Sequence, residues 1–458
     1  MNKNIFIILL AQIFNMAYGN QEKGKKIDKP NVIIFFTDDL GYGDLTCYGH
    51  PSNKTPNIDK MASEGMKFTQ FYVSSSLCSP SRAALLTGRL PIRTGAYGKK
   101  RHVFFCDANG GIPENELMLG ELLKSKGYKT ACIGKWHLGH KLEYLPTSQG
   151  FDYFFGIPYS NDMSPATNPN WDGASHCCPL PLMKNTTIIE EEPNQDSLTI
   201  RYTEEAIKFI KKNKNDNFFL YLPYTSPHTP LHVSDNYRNS TLRGLYGDVL
   251  SELDWSVGEI LNFLVENRLD KNTFVLFTSD NGPWLMRELD GGSSGLLKNG
   301  KGTTWEGGIR VPAIAWWPGK IDPHQVNQSV LSTMDVFTTI ADMVNYSLPA
   351  DRIYDGDDIS SVLFNGVLKP EKPSFFYKGE ELFAVRKGPW KIHLKTLDKP
   401  FGETKISDWN PPLLFNIEED PEEKYNRNSE YPKIVSDLLN EAKKHINNLE
   451  IAEPQFDR

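Results

Sequence analysis

The chain has 458 residues, of which 39% are hydrophobic and 23% charged, enough apolar material for a large packed core and too much for a disordered chain or a coiled coil. Lys and Arg number 50 against 57 Asp and Glu, a net charge of −7. No overall field draws such a protein to nucleic acid, so any anion site must be a local cluster.

In chain order, residues 1–19 begin with Lys3, run apolar from Ile5 to Ile13 and end in the small-x-small pattern Ala17-Tyr18-Gly19, the signature of a cleaved secretory signal. No later stretch is apolar for long enough to span a bilayer. Six cysteines, Cys47, Cys78, Cys106, Cys132, Cys177 and Cys178, are too few for a disulfide scaffold. Glycosylation acceptors stand at Asn53, Asn185, Asn239, Asn327 and Asn345.

The run from Asn31 to Phe36 reads as a fully buried strand that delivers Asp38 and Asp39 at its carboxyl end. Similar runs at Thr130 to Ile133, Phe218 to Leu222, Phe274 to Phe277 and Ala313 to Trp317 are separated by helical patterns such as Glu116 to Lys126 and Tyr246 to Asn267. Strands alternating with helices predict an α/β fold, a mainly parallel sheet covered on both faces. After about residue 370 the segments Ser374 to Tyr377, Leu382 to Arg386 and Trp390 to Leu394 predict a small antiparallel sheet, closed by an amphipathic helix over Tyr431 to Leu449. The expected organisation is a leader at 1–19, a catalytic domain at 30–370 and a small C-terminal domain at 371–458.

Adjacent carboxylates such as Asp38 and Asp39 repel one another unless a cation holds them, although a solvated loop or a helix cap fits the pair alone as well. A second strand end delivers Asp280 and Asn281, and four oxygen donors suit Ca²⁺ or Mg²⁺ rather than zinc. Pro80 suits the first turn of a helix ending at Gly88, which puts Cys78 at a helix N-terminus with Arg82 one turn on. By itself that cysteine reads more readily as a structural or disulfide one. Lys135 and His137 lie between Gly134 and Gly139 after another apolar run, where alternation would point both to one side. Ser226-Pro227-His228 and the glycine-rich loop Gly300-Lys301-Gly302 follow the same pattern. Three cations, two histidines, a nucleophile candidate and a divalent-cation site describe a hydrolase of phosphate or sulfate esters.

At Cys78-Ser-Pro-Ser-Arg82, followed by Leu86-Thr-Gly-Arg89, the chain resembles the type I sulfatases of the alkaline-phosphatase-like superfamily. The resemblance continues through residues 38–44, 134–139, 156–160, 278–283 and 300–308, and it is nearest to the arylsulfatase A type, then the N-acetylgalactosamine-6-sulfatase type. Departures include Asn161 in place of a histidine and Asn299 in place of a cysteine. The resemblance implies a large mixed, mainly parallel sheet with a small C-terminal sheet, and conversion of Cys78 to formylglycine by the formylglycine-generating enzyme. It implies Ca²⁺ on Asp38, Asp39, Asp280, Asn281 and an oxygen of residue 78. Arg82 and His137 would hold the hydrated aldehyde, Lys135, Ser160 and Lys301 would bind sulfate, and His228 would protonate the leaving alcohol. One hydroxyl of the hydrate would attack sulfur, and the other would then lose its proton to expel sulfate, giving a covalent sulfo-enzyme route. The implied substrates are a sulfated galactolipid, a sulfated sugar or an aryl sulfate, the implied location lysosomal or secreted, and a homodimer is compatible. Two other readings compete: a two-metal phosphatase or phosphodiesterase of the same superfamily, and an inactive protein that binds sulfated glycans.

Overall fold

The segment from Asn31 to Thr37 has no polar side to turn toward water, and it forms β1 with all seven residues buried. The structure, a computed structural model, describes residues 29–166, 179–397, 399 and 405–458. The leader at 1–19 and Cys177 and Cys178 lie outside the described residues.

The other strands of the large sheet are β2 (Met66–Tyr72), β3 (Lys129–Lys135), β4 (Tyr153–Ile157), β5 (Pro181–Lys184), β6 (Thr187–Glu191), β7 (Phe218–Pro223), β8 (Thr273–Ser279), β9 (Arg310–Trp316), β10 (Gln325–Asn327) and β11 (Leu331–Ser332). Their order is β10-β2-β9-β8-β1-β7-β3-β4-β5-β6, with β11 also paired to β2. The central five, β8-β1-β7-β3-β4, are parallel throughout, so their carboxyl ends share one edge, where open α/β sheets place their ligands. The run at Ala313 to Trp317 becomes β9, which is antiparallel to both β8 and β2.

Period-two alternation divides the core. Val32, Ile34 and Phe36 of β1 pack on one face with Leu85, Leu86, Phe337 and Ile340. Ile33 and Phe35 pack on the other with Tyr202 and Ile210 of the helix Leu198–Asn213 and Leu253 and Val257 of the helix Leu245–Glu266. Helices therefore cover both faces, as the alternating pattern predicts. One helix starts later than its sequence pattern: it spans Leu119–Ser125, with the Met118 N–H donating to Glu121 Oε2 at 2.8 Å. Glu116 lies outside it, in a turn where its N–H reaches the Pro113 carbonyl at 3.0 Å, because the intervening Met118 is extended at φ −89° and ψ 151°.

The C-terminal segments form an antiparallel sheet, β12 (Ser374–Lys378), β13 (Glu381–Lys387), β14 (Trp390–Leu397) and β15 (Ile406–Asn416), backed by the helix Pro432–Asn447. Val385, Ile392 and Leu414 of this sheet meet Val435 and Leu438 of the helix and Ala84, Leu90 and Ile92 of the larger unit in one apolar cluster. Among the described residues no helix is long and apolar enough to cross a membrane. Cys47, Cys78 and Cys132 are free thiols, and Cys106 is in a disulfide.

Two of the five glycosylation acceptors must be withdrawn. Asn53 is 3% exposed with its amide donating to the Asp44 carbonyl, and Asn327 is 4% exposed with its side-chain oxygen holding the Ser329 N–H. Neither can carry a glycan in this fold, whereas Asn239 and Asn345 are exposed and Asn185 is half-buried.

Candidate active site

All five central strands deliver a polar residue at or just beyond their carboxyl ends: Asp38 and Asp39 after β1, Asp280 and Asn281 after β8, Lys135 closing β3, Ser160 after β4 and His228 after β7. Backbone bonds lock these turns together, since Asp280 N–H donates to the Thr37 carbonyl at 3.0 Å and Asp38 N–H to the Ser226 carbonyl at 3.0 Å. Asp39 adopts φ 67°, and its N–H reaches Asp280 Oδ1 at 3.1 Å. Gly282 has to be glycine, because a Cβ there would sit 1.8 Å from the Gly307 carbonyl oxygen.

Cys78 is the first residue of the helix Cys78–Thr87, which Gly88 ends in the left-handed region at φ 69°. Burial pushes its thiol up to about 11 although Lys135 and Lys301 pull the other way, so the thiol is protonated at neutral pH. Arg82 is fully buried and spends its fork on Asp280 Oδ2, at 3.1 Å from Nε and 2.8 Å from Nη2, and on the Lys135 carbonyl at 2.7 Å from Nη1. Lys135 Nζ donates to Asp38 Oδ2 at 2.5 Å and Ser160 Oγ at 2.9 Å, and Lys301 Nζ to Asp39 at 2.7 Å. Asn281 Nδ2 donates to Asp39 Oδ1 at 2.7 Å.

The two buried carboxylates Asp38 and Asp280 respond in opposite directions. Burial would raise Asp38, but Lys135 and its other neighbours hold it well below the usual range, while burial and the charge of Asp38 push Asp280 up against the pull of Arg82. His228 Nε2 lies 3.6 Å from Asp39 Oδ2, and burial with Lys301 beside it lowers its pKa to about 3. His137 differs from its sequence reading: β3 ends at Lys135 and His137 takes φ 59°, which breaks the alternation. Its Nε2 meets the Phe104 carbonyl at 2.8 Å, so Nε2 carries the hydrogen and Nδ1 is a buried lone pair with no partner.

The donor set fits a hard divalent cation. Asp38 Oδ1 and Asn281 Oδ1 are buried without a hydrogen-bond partner, and ligand atoms of Asp38, Asp39 and His228 lie within 4.8 Å of one another. Oxygens of this kind suit Ca²⁺ or Mg²⁺. The sequence-derived residues Asp38, Asp39, Cys78, Arg82, Lys135, His137, Ser160, His228, Asp280, Asn281 and Lys301 are thus all buried and gathered at one edge of the sheet.

Residues 30–346 match the sulfatase family, and residues 369–458 match the C-terminal region of aryl-sulfatase. The chain belongs to the sulfatase family. It is 39% identical over 464 residues to N-acetylgalactosamine-6-sulfatase of Mus musculus, with 93% of this chain and 88% of that one aligned. It is 40% identical over 425 residues to arylsulfatase A of Homo sapiens, covering 87% of this chain and 83% of the relative. The crystal structure of the PsFucS1 sulfatase from Pseudoalteromonas sp. superimposes with a TM-score of 0.84 at 29% identity over 99% of this chain and 97% of that one. As a sulfatase, the protein is a sulfuric ester hydrolase.

Several residues around the sulfatase site escape a reading of motifs. Glu306 is buried behind the Lys301 loop, accepting from the Tyr72 hydroxyl at 2.6 Å and from Lys391 Nζ at 2.9 Å, while its N–H donates to Glu423 Oε2 at 2.7 Å. Lys391 also donates to the Thr304 carbonyl at 2.8 Å and lies 3.1 Å from Glu423, which meets His393 Nε2 at 2.7 Å. Burial would raise Glu306, but Lys391 and Arg386 bring it down to about 2. The small sheet thereby holds the loop that carries Lys301. Only the carboxylate within Trp305-Glu306-Gly307, next to glycines that allow close approach, signals this in the sequence.

Proposed function

We propose that this sulfatase hydrolyses sulfate monoesters with residue 78 converted to formylglycine by the formylglycine-generating enzyme and with Ca²⁺ on Asp38, Asp39, Asp280 and Asn281. The observation that carries the reading is the convergence of four oxygen donors and three cations on a buried cysteine at a helix N-terminus. A buried, protonated thiol is a poor nucleophile. Conversion of residue 78 to a hydrated aldehyde supplies a nucleophilic oxygen with a second hydroxyl beside it. Bound Ca²⁺ supplies positive charge for a sulfate oxygen.

The chain's own groups divide the remaining work. Lys135 and Lys301 each keep ammonium hydrogens beyond those given to Asp38 and Asp39, and these hold sulfate oxygens, with Ser160 fixing Lys135. Arg82 ties Asp280 to the end of β3 and adds a charge that needs no protonation. The lone pair of His137 Nδ1 accepts a hydrogen bond from residue 78, its ring fixed by the Phe104 carbonyl. His228 protonates the leaving oxygen, since a bound sulfate offsets the Lys301 charge that helps keep the imidazole neutral. The relatives named above make sulfated N-acetylgalactosamine and aryl sulfates the substrates to try first, and the leader sequence supports a secreted or lysosomal enzyme.

Release of p-nitrophenol from 4-nitrophenyl sulfate is the direct test, and no turnover by protein carrying the modification would refute the reading. Exhaustive EDTA treatment and dialysis should abolish activity, and Ca²⁺ should restore it; full activity in the metal-free protein would sink the cation assignment. His228→Ala should cost roughly 10²-fold more in kcat on an alkyl or sugar sulfate than on 4-nitrophenyl sulfate, whose leaving group needs little protonation. Equal losses on both would remove His228 as the acid.

A further inference from the structure

The loop after Asn281 carries two residues that sulfate binding does not use. Leu285–Asp290 forms an exposed helical turn, entered through the half-buried Trp284. The Trp284 ring lies 5.4 Å from that of His228, and Lys301 Nζ stands 4.6 Å from the Trp284 centroid. Arg287 is exposed, and its guanidinium carbon lies 4.2 Å from the centroid of the same indole while its backbone N–H donates to the Trp284 carbonyl at 2.8 Å. Two cations therefore stand against one indole. They differ in one respect: Lys301 is ion-paired with Asp39, whereas Arg287 forms no ion pair among the described residues. A guanidinium held on an aromatic face is pre-organised, so an anion that meets it loses less freedom in binding.

We propose that Arg287, set by Trp284, binds a second anionic group, sulfate or carboxylate, on the alcohol half of the substrate, so that the enzyme prefers polyanionic sugars to singly charged esters. This rests on the reading above, in which Lys301 holds the reacting sulfate and His228 faces the leaving oxygen. Trp284 touches both, so a ring bonded through that oxygen extends over the indole toward Arg287. An anion there also relieves the mutual repulsion of the two cations on the indole, which makes the preference electrostatic and sensitive to salt.

The test uses the Cys78→Ala protein, which binds without turnover, titrated calorimetrically with N-acetylgalactosamine 6-sulfate and with the 4,6-disulfate. The disulfate should bind about tenfold more tightly at low ionic strength, Arg287→Ala should erase the difference and Arg287→Lys should restore part of it. A glucuronate-bearing monosulfated disaccharide separates the two anions: a gain that Arg287→Ala abolishes extends the site to carboxylate, and no gain restricts it to sulfate. With residue 78 intact, Arg287→Ala should lower kcat/KM for the disulfate about tenfold and for 4-nitrophenyl sulfate by no more than about threefold. An affinity ratio unchanged by Arg287→Ala, or equal kinetic losses on both esters, overturns the proposal. If the unsubstituted protein cleaves no sulfate ester, the catalytic reading fails, and the affinity ratio still decides the role of Arg287.

Discussion

Cys78→Ala yields a folded protein whose turnover of sulfate esters is lower by roughly 10³-fold or more, the scale expected when a nucleophile is removed and its surroundings are kept. The fold survives because the helix Cys78–Thr87 is anchored by Ala83, Ala84, Leu85 and Leu86, all at 0% exposure, and Cys78 stands at its first position. In the active enzyme the peptide around residue 78 should be about 18 Da lighter than the cysteine form, which peptide mass spectrometry resolves. Cys78→Ser should stop at a sulfated serine, since one hydroxyl cannot expel sulfate as a geminal pair can. Full activity from protein with an unmodified Cys78 would overturn the mechanism.

Lys391→Met destabilises the protein by about 3–5 kcal/mol, because it removes one partner of a buried ionic group and leaves the others charged. Lys391 is fully buried between Glu306 at 2.9 Å and Glu423 at 3.1 Å. Burial opposes ionisation of Glu306, and Lys391 is the largest of the charges that keep it ionised. The loss should appear as a melting temperature lower by several degrees, measured by circular dichroism. Lys391→Arg should keep part of the stability, because a guanidinium supplies charge to both carboxylates in a different shape. A melting temperature unchanged in Lys391→Met would mean that the buried charges do not join the two sheets.

The parts of this molecule legible in the sequence were those whose chemistry is local. A buried strand such as Asn31–Thr37 announces itself because no residue faces water, and the adjacent carboxylates after it announce a need for positive charge, which Lys135 and Lys301 meet in the structure. The same logic found Lys135, His228, Asp280, Asn281 and Lys301, each beyond an apolar run or in a glycine-rich loop. What stayed hidden depends on distant partners. Nothing near Lys391 indicates that its ammonium will meet the carbonyl of Thr304, 87 positions earlier. The antiparallel setting of β9 is not encoded in its apolar run, which reads the same in either direction. His137 was misaligned because alternation assumes an extended backbone and φ 59° abolishes it. Asn53 and Asn327 look like surface acceptors until their amides are found bonded inside the fold.

The bond from Lys391 to Thr304 also sets an order of events during synthesis. The loop bearing Lys301 leaves the ribosome well before the strand that supplies its buried counter-charge, and Glu306 and Lys391 are 85 positions apart. Until that strand arrives, Glu306 has the Tyr72 hydroxyl and Arg310 but not the Lys391 ammonium as partners, and the turn holding Lys301 lacks one of its anchors. The nascent chain can therefore complete its large sheet without completing its anion site. A chain truncated before β14 should therefore pair its central strands and still bind sulfate less firmly than the full chain.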